Sequence, residues 1–121
     1  MAIRIYEYDR CSTCKKALAY LDGRKKKNER VPIVEQPPTV SELKAMLGYL
    51  KASGKTFKNL FNTSGEQYRA LEIGDRIKAG MTEQEAIALL SKNGKLIKRP
   101  FLLTANGGTT GFQTETWSKL V

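Results

Sequence analysis

The stretch IRIYEYDRCSTC, residues 3–14, places two cysteines between a predicted strand and a predicted helix. Ile3–Tyr8 alternates well enough for a strand and is rich in branched and aromatic residues. The helix is predicted to begin at or just after Cys11 and to end at Gly23. Its apolar side chains recur at the i, i+3, i+4, i+7 spacing of an amphipathic helix, namely Cys14, Ala17, Leu18 and Leu21.

Downstream of this opening, the pattern predicts one more strand and then several helices. Val31–Glu35 is predicted to be a short strand, and the proline within it favours the edge of a sheet. Phe57–Phe61 is expected to form a short helix packed on the core. Three further helices begin with a capping box, in which a hydroxyl and a Glu or Gln three residues later satisfy orphan amides. The pairs are Thr39 and Glu42, Ser64 and Gln67, and Thr82 and Glu85.

The last third of the chain returns to strand structure and ends in a helix. Pro100–Thr104 is predicted to be a strand, Ala105–Gly108 a hairpin turn and residues 109–112 the return strand. Thr114–Leu120 is predicted to be a short helix. The order of elements indicates an α/β domain in which about residues 39–93 form a helical insertion after the second strand.

Length and composition limit both the architecture and the chemistry. At 121 residues, the chain has the size of one domain, spanning 1–121. No apolar run approaches the roughly 18 residues that cross a bilayer, so we expect a cytoplasmic protein without membrane contact. Histidine is absent from the sequence, which excludes Ser–His catalysis, Cys–His catalysis and every metal site that contains histidine.

The net charge of +9 is unevenly distributed. Residues 10–30 hold eight bases and two acids, and the bases include the run Arg24–Lys27. This run fits either a surface for an anionic partner or a solvated connection after a helix. It lacks the interleaved aromatic residues that stack on bases, so we favour the solvated connection and expect no direct nucleic-acid binding.

The two cysteines form a C-x-x-C motif at the predicted start of the helix. In this context the motif is typical of a redox pair, with Cys11 as the attacking sulfur and Cys14 as the resolving thiol. Backbone amides and the helix dipole favour a thiolate at this position, as do neighbouring bases such as Lys15. Half of a zinc site is one alternative, but the sequence has no second ligand pair, and we expect no metal. Two unrelated thiols, one of them a core filler, are the other alternative.

Several segments together resemble the arsenate reductase and Spx family. They are the strand–CxxC–helix opening, Leu60–Gly65 leading to Tyr68-Arg69, and Leu96–Pro100, and the resemblance covers nearly the whole chain. It implies a thioredoxin-like fold with a glutaredoxin-type mixed sheet and a helical insertion after the second strand. It also implies that Pro100 is a cis-proline beside the cysteine loop.

The resemblance also implies a role for Arg99, which matches the arginine that precedes the family's proline. Arsenate reductases hold the oxyanion with several arginines, whereas this chain has Phe61-Asn62 and Gly111-Phe112-Gln113 at the other positions. We therefore do not expect arsenate to be the substrate. The predicted catalytic residues are Cys11, Cys14 and Arg99, and the predicted substrate-binding residues are Lys15, Arg99 and Pro100.

These observations predict a monomeric thiol-disulfide redox protein. It would need no tightly bound cofactor and would use glutathione as a co-substrate, or a glutaredoxin- or thioredoxin-type reductant. The alternative is a redox-switched regulator similar to Spx, which would bind the carboxyl-terminal domain of the RNA polymerase alpha subunit. In that interpretation Arg99 and Gly54 belong to the switch. A third alternative is a redox-inert adaptor that retains the fold.

Overall fold

A four-stranded sheet organises the chain, of which the computed structural model describes residues 3–121. Strand β1 (Ile3–Glu7) pairs in parallel with β2 (Asn28–Pro32) and antiparallel with β3 (Phe101–Thr104). Strand β4 (Gly107–Thr110) pairs antiparallel with β3. The spatial order β2-β1-β3-β4 makes the sheet mixed and places β2 and β4 at its edges.

Helices surround the sheet. The first precedes β2, the last follows β4, and the others fill the long connection between β2 and β3. They are α1 (Ser12–Gly23), α2 (Val40–Ala52), α3 (Glu66–Ala70), α4 (Ile73–Lys78), α5 (Glu83–Lys92) and α6 (Thr114–Leu120). Short 3-10 turns cover Phe57–Leu60 and Gly94–Leu96. The predicted α/β class with a mixed sheet is therefore confirmed.

Alternation along the strands divides the core between the two faces of the sheet. Successive strand side chains point to opposite faces, so Ile5 and Tyr6 enter different clusters. The larger cluster lies under α2 and α5 and includes Tyr6, Leu43, Leu50, Leu90 and Phe101. The smaller cluster lies under α1 and α6 and consists of Ile5, Ala17, Leu21, Leu102 and Trp117.

Trp117, the single tryptophan of the sequence, fixes α6 against the smaller cluster. Its side chain is fully buried, and its indole Nε1–H donates to the Gly111 carbonyl at 3.0 Å. Its ring also packs edge-to-face on Phe112, with centroids 5.0 Å apart. The segment that follows β4 is thereby attached to the buried indole.

Both edge strands differ in position from the sequence prediction. Strand β2 begins at Asn28 and ends at Pro32, whereas the apolar pattern predicted Val31–Glu35. The first residues of β2 are polar and show no alternation of apolar side chains, so the sequence did not reveal them as a strand. They belong to the strand because their backbone pairs with β1. Strand β4 begins at Gly107 because the turn uses only Ala105 and Asn106.

The helical connection also corrects one prediction. Ser64 does not cap a helix: its hydroxyl donates to the Asn62 side chain, and Gly65 occupies the N-cap position without a side-chain hydrogen bond. The helix predicted from about Ser64 to Glu72 is present as the shorter α3, and α4, which the pattern did not predict, follows the left-handed Glu72, with φ 54°. The other two capping boxes, at Thr39 and Thr82, are both present.

A helix that crosses a bilayer needs about 20 predominantly apolar residues. Within residues 3–121, no helix is both long enough and apolar enough to cross a membrane.

Candidate active site

Cys11 lies at the N-cap of α1, immediately after β1 and its short loop. Its backbone is extended, with φ −96° and ψ 114°, and its Sγ accepts the Cys14 amide at 3.3 Å. The Cys11 N–H donates to the Tyr8 carbonyl at 3.0 Å, which closes the loop. This geometry leaves the Cys11 side chain partly exposed and turns Cys14 into the core.

The surroundings of the two thiols differ in a way that separates their chemistry. Burial, followed by a hydrogen bond to the Cys11 side chain, raises the pKa of the Cys14 thiol to about 12. A backbone hydrogen bond from Tyr8 and the charge of Arg99 act in the opposite direction without overcoming it. Cys14 is therefore a buried thiol whose ionisation is disfavoured, and its backbone amide donates to the partly exposed sulfur of Cys11.

A cleft of about 750 Å³ opens in front of Cys11, and we call it the cysteine cleft. Segments distant in sequence meet in its wall, including the start of α1, the 62–69 segment and the loops before β3 and after β4. Five cationic residues line it, Arg10, Lys55, Arg69, Lys98 and Arg99, whereas Glu66 is the single acidic residue in the described wall. The cleft is consequently suited to an anionic ligand.

Arg99 contributes to this wall from the position before the proline. Its guanidinium stacks over the Tyr8 ring, with Cζ 4.5 Å from the centroid. One guanidinium nitrogen, Nη1, is buried and finds no hydrogen-bond partner within residues 3–121. The Arg99–Pro100 peptide bond is cis, as the family resemblance implied. Cys11 and Arg99, which are far apart in sequence, thus line one cavity.

Lys15 and Pro100 lie outside this wall. Lys15 is exposed on α1, and Pro100 is buried, with its carbonyl accepting the Gly111 amide at 2.8 Å. Their role in substrate binding remains a prediction. The basic run Arg24–Lys27 follows the carboxyl end of α1, about 18 Å of helix away from Cys11. The positive charge of the cleft therefore comes from other residues.

Sequence reasoning assigned no role to Arg69, Lys55 or Lys98. Arg69 projects from the short helix α3, and its Nη1 donates to the Ser64 carbonyl at 3.2 Å. Tyr68-Arg69 was part of the family resemblance, which is the one sequence signal that pointed to this segment. Lys55 had no such signal, because only the fold brings the end of α2 to the cysteine loop.

Phe61, Asn62 and Phe112, in the two segments where the resemblance implied further arginines in arsenate reductases, have different environments. Phe61 is buried in the core and packs edge-to-face on Tyr68. Asn62 and Phe112 line the cysteine cleft. Both segments therefore still reach the cleft, through the neutral side chains of Asn62 and Phe112.

Comparison with known proteins places this site within a family. A model of the ArsC family matches residues 6–120. The chain belongs to the ArsC family. The Bacillus subtilis (strain 168) protein YusI is 38% identical to this chain over 115 residues, which cover 95% of this chain and 94% of YusI. The match extends over the whole site, from Cys11 to the segment after β4.

Solved structures of ArsC-type proteins share the fold. An ArsC family related protein from Bacteroides fragilis has a TM-score of 0.90 and 40% identity, covering 100% of this chain and 98% of its own. A protein from Streptococcus mutans UA159, described as a possible arsenate reductase, has a TM-score of 0.82 and 36% identity, with coverage of 96% and 97%. The predicted thioredoxin-like fold of the ArsC family is therefore confirmed.

Proposed function

We propose that this ArsC-family protein is a thiol-disulfide reductase that uses Cys11 as nucleophile and Cys14 as resolving thiol. The observation that carries the proposal is the pairing of a partly exposed cysteine, at a helix N-terminus in a cationic cleft, with a buried cysteine whose backbone amide donates to its sulfur. A helix terminus and nearby cations stabilise a thiolate, which is the reactive form of cysteine.

The reaction begins with attack of the Cys11 thiolate on one sulfur of a substrate disulfide. The substrate S–S bond breaks, its second sulfur leaves as a thiolate, and Cys11 is joined to the first sulfur in a mixed disulfide. Cys14 then loses its proton to solvent and attacks the Cys11 sulfur. This step forms the Cys11–Cys14 disulfide and releases the first sulfur as a thiolate.

Formation of the mixed disulfide lowers the obstacle that the high pKa of Cys14 presents in the second step. Two of the influences that keep Cys14 protonated, a hydrogen bond and a repulsive charge, come from Cys11 itself. When the Cys11 sulfur is in a mixed disulfide it carries no negative charge, so both influences weaken. Burial, the largest cause of the raised pKa, remains, and the Tyr8 backbone hydrogen bond and the charge of Arg99 then oppose burial alone.

Two molecules of glutathione would complete the cycle. The first attacks the Cys11–Cys14 disulfide, and the second releases it as oxidised glutathione, which restores both protein thiols. Glutathione is anionic through its carboxylates, and the cationic lining of the cysteine cleft suits such a ligand. The Arg99 guanidinium, which lines the cleft, is the donor we assign to a carboxylate. A glutaredoxin- or thioredoxin-type protein would serve as an alternative reductant.

A coupled assay tests this proposal. Turnover of hydroxyethyl disulfide by glutathione would be followed through NADPH consumption by added glutathione reductase. The wild-type protein should be active and Cys11→Ser inactive. Cys14→Ser should accumulate a mixed disulfide that is visible by intact mass. Turnover by wild type no faster than by Cys11→Ser would refute the reductase proposal.

The Spx-like regulator would give a different result. It requires that the purified RNA polymerase alpha subunit bind only one redox state of the protein, with no turnover of disulfides. Pull-downs with the reduced and the oxidised protein, using Cys11→Ser as a control fixed in one state, separate the two functions.

A further inference from the structure

A second groove runs along the free edge of β4 and continues into the cysteine cleft. We call it the edge groove, and it encloses about 500 Å³ between β4, the end of α2 and α6. Lys55 and Gln113 line both the edge groove and the cysteine cleft. A chain lying in the edge groove would therefore lead directly towards Cys11.

The strand register leaves hydrogen-bonding groups of β4 directed into this groove. The Gly111 amide donates to the Pro100 carbonyl at 2.8 Å, so these two residues are a hydrogen-bonded pair. From this pair and the register of the hairpin, it follows which residues of β4 are hydrogen-bonded to β3 and which are not. In an antiparallel ladder every second residue points its N–H and C=O away from its partner strand. Gly108 is such a residue, and it lines the edge groove. Its outward groups can pair with an added strand.

The floor and the wall of the groove suit an extended polypeptide. Gly107 and Gly108 carry no side chains, and a Cβ at Gly108 would lie 3.0 Å from Cδ2 of Tyr49. Tyr49 stands above them and is 41% exposed, which makes it one of two large apolar residues so exposed among the described residues, with Val40. A flat glycine floor beside an exposed aromatic ring accommodates a backbone and one apolar side chain.

The charge of the groove indicates what kind of polypeptide it would bind. Lys55 and Lys119 line it, and its described wall contains no Asp or Glu. The whole sequence carries a net charge of +9, which opposes a second copy of this chain as the occupant. An acidic partner satisfies both observations.

We propose that the edge groove binds an extended, acidic segment of a partner polypeptide, which adds as a short strand to β4 and presents its disulfide to Cys11. The delivery of a disulfide rests on the proposed reductase function, whereas strand addition does not. Docking can therefore be tested without sulfur chemistry.

Binding of a synthetic peptide tests the docking step. The probe is a fluorescein-labelled peptide of eight residues, alternating valine and glutamate, with a serine where cysteine would stand. We expect saturable binding by fluorescence anisotropy at low ionic strength. Backbone N-methylation of the peptide should weaken binding about tenfold or more, because it removes strand hydrogen bonds. A peptide with lysine in place of glutamate should not bind.

Variants of the groove assign the binding to this surface. Tyr49→Ala and Lys119→Glu should each weaken binding of the acidic peptide at least about threefold. The matched controls Val40→Ala and Lys44→Glu alter an exposed apolar residue and an exposed lysine of α2 outside the groove. Both controls should bind like wild type, and circular dichroism would verify that all four variants are folded.

The outcomes separate docking from catalysis. Equal binding by the groove variants and their controls, or no effect of N-methylation, would overturn the docking proposal even if disulfide turnover is observed. Peptide binding by Cys11→Ser at wild-type affinity would support docking independently of redox activity. Sedimentation of the free protein as a dimer that Tyr49→Ala dissociates would show that a second copy is the occupant, and would also overturn it.

Discussion

Solvent access and protonation distinguish the two thiols of the site, and alkylation measures both. In Cys11→Ser, the remaining Cys14 is buried, and burial is the main cause of its raised pKa. We expect iodoacetamide to modify it at pH 7 at least about tenfold more slowly in the folded protein than in urea. In Cys14→Ser, Cys11 should show no such protection. Equal protection of the two thiols would contradict their assigned roles.

Arg99 should influence disulfide formation through its charge. Its guanidinium lowers the pKa of Cys14 against the larger effect of burial. Arg99→Ala should therefore slow closure of the Cys11–Cys14 disulfide near neutral pH by about two- to tenfold, whereas Arg99→Lys should recover part of the rate. The reaction can be followed by mass after quenching with an alkylating agent.

Arg24→Ala is the matched control for Arg99→Ala. Arg24 also stacks on a tyrosine, with its Cζ 5.0 Å from the Tyr20 centroid, but it lies at the far end of α1. The Arg24→Ala variant should leave the rate of Cys11–Cys14 disulfide closure unchanged. If both variants slow closure equally, the effect of Arg99 arises from lost stacking and not from its charge at the site.

At the residue scale, sequence identified the parts of the site that lie in a motif. Cys11 and Cys14 were recognisable from their spacing and their place at a helix start, and Arg99 from the family resemblance of the Leu96–Pro100 segment. Arg69 and Lys55 were not, because their relation to Cys11 depends on how the helical connection folds back over the sheet. Spacing along the chain contains no information about that distance.

At the level of elements, Glu42 joins α2 to the sheet. It accepts the Tyr6 hydroxyl at 2.7 Å, Arg4 at 3.0 Å and its own capping amide, Thr39 N, at 3.0 Å. Burial opposes its ionisation, but these hydrogen bonds outweigh burial and lower its pKa. We expect Glu42→Gln to reduce the free energy of unfolding at pH 7 by about 1–3 kcal/mol, measured by urea denaturation.

The pH dependence of that loss follows from the sign of the pKa change. Because the folded pKa of Glu42 is below its unfolded value of about 4.3, its contribution is present above that value and is lost as pH falls through the folded pKa. The difference between wild type and Glu42→Gln should therefore shrink in acid. Glu85→Gln, which removes a capping-box carboxylate without tyrosine or arginine partners, should have a smaller effect at pH 7.

Two of the three predicted capping boxes form and located their helices, whereas elements without a local signal were missed. The capping boxes at Thr39 and Thr82 located α2 and α5 because a cap is formed by neighbours in sequence. Strand β2 and helix α4 lacked such a signal. The first pairs by its backbone at a sheet edge, and the second follows a left-handed residue, Glu72, which no pattern indicated.

At the scale of the whole molecule, Gly94 lies where the helical connection closely approaches the segment after β2. A Cβ at this position would overlap the main chain of Ile33, just after β2. Gly94→Ala should therefore separate these segments and destabilise the fold by roughly 1–3 kcal/mol. Gly48→Ala is its control, since a Cβ there has no neighbour within 4 Å. In the middle of α2 this change should stabilise by about 0.5–1 kcal/mol.

Thermal or urea unfolding of both glycine variants checks this pair. Opposite signs for the two substitutions would support close backbone packing at Gly94. A loss of less than about 0.5 kcal/mol for Gly94→Ala would show that the two segments separate easily, and that the helical connection is less tightly fixed than its packing implies.

The attachment of Gly111 to the Trp117 indole gives the protein an intrinsic optical reporter. The fluorophore is buried, its N–H is bonded to Gly111, and its ring contacts Phe112, while both of these residues line the cysteine cleft. Emission should therefore lie at short wavelength and resist quenching by iodide. Titration with oxidised glutathione should change its intensity saturably, so that occupancy of the cleft can be read without any added label. An emission spectrum that does not respond while binding is seen by calorimetry would show that ligands do not reach the Phe112 wall.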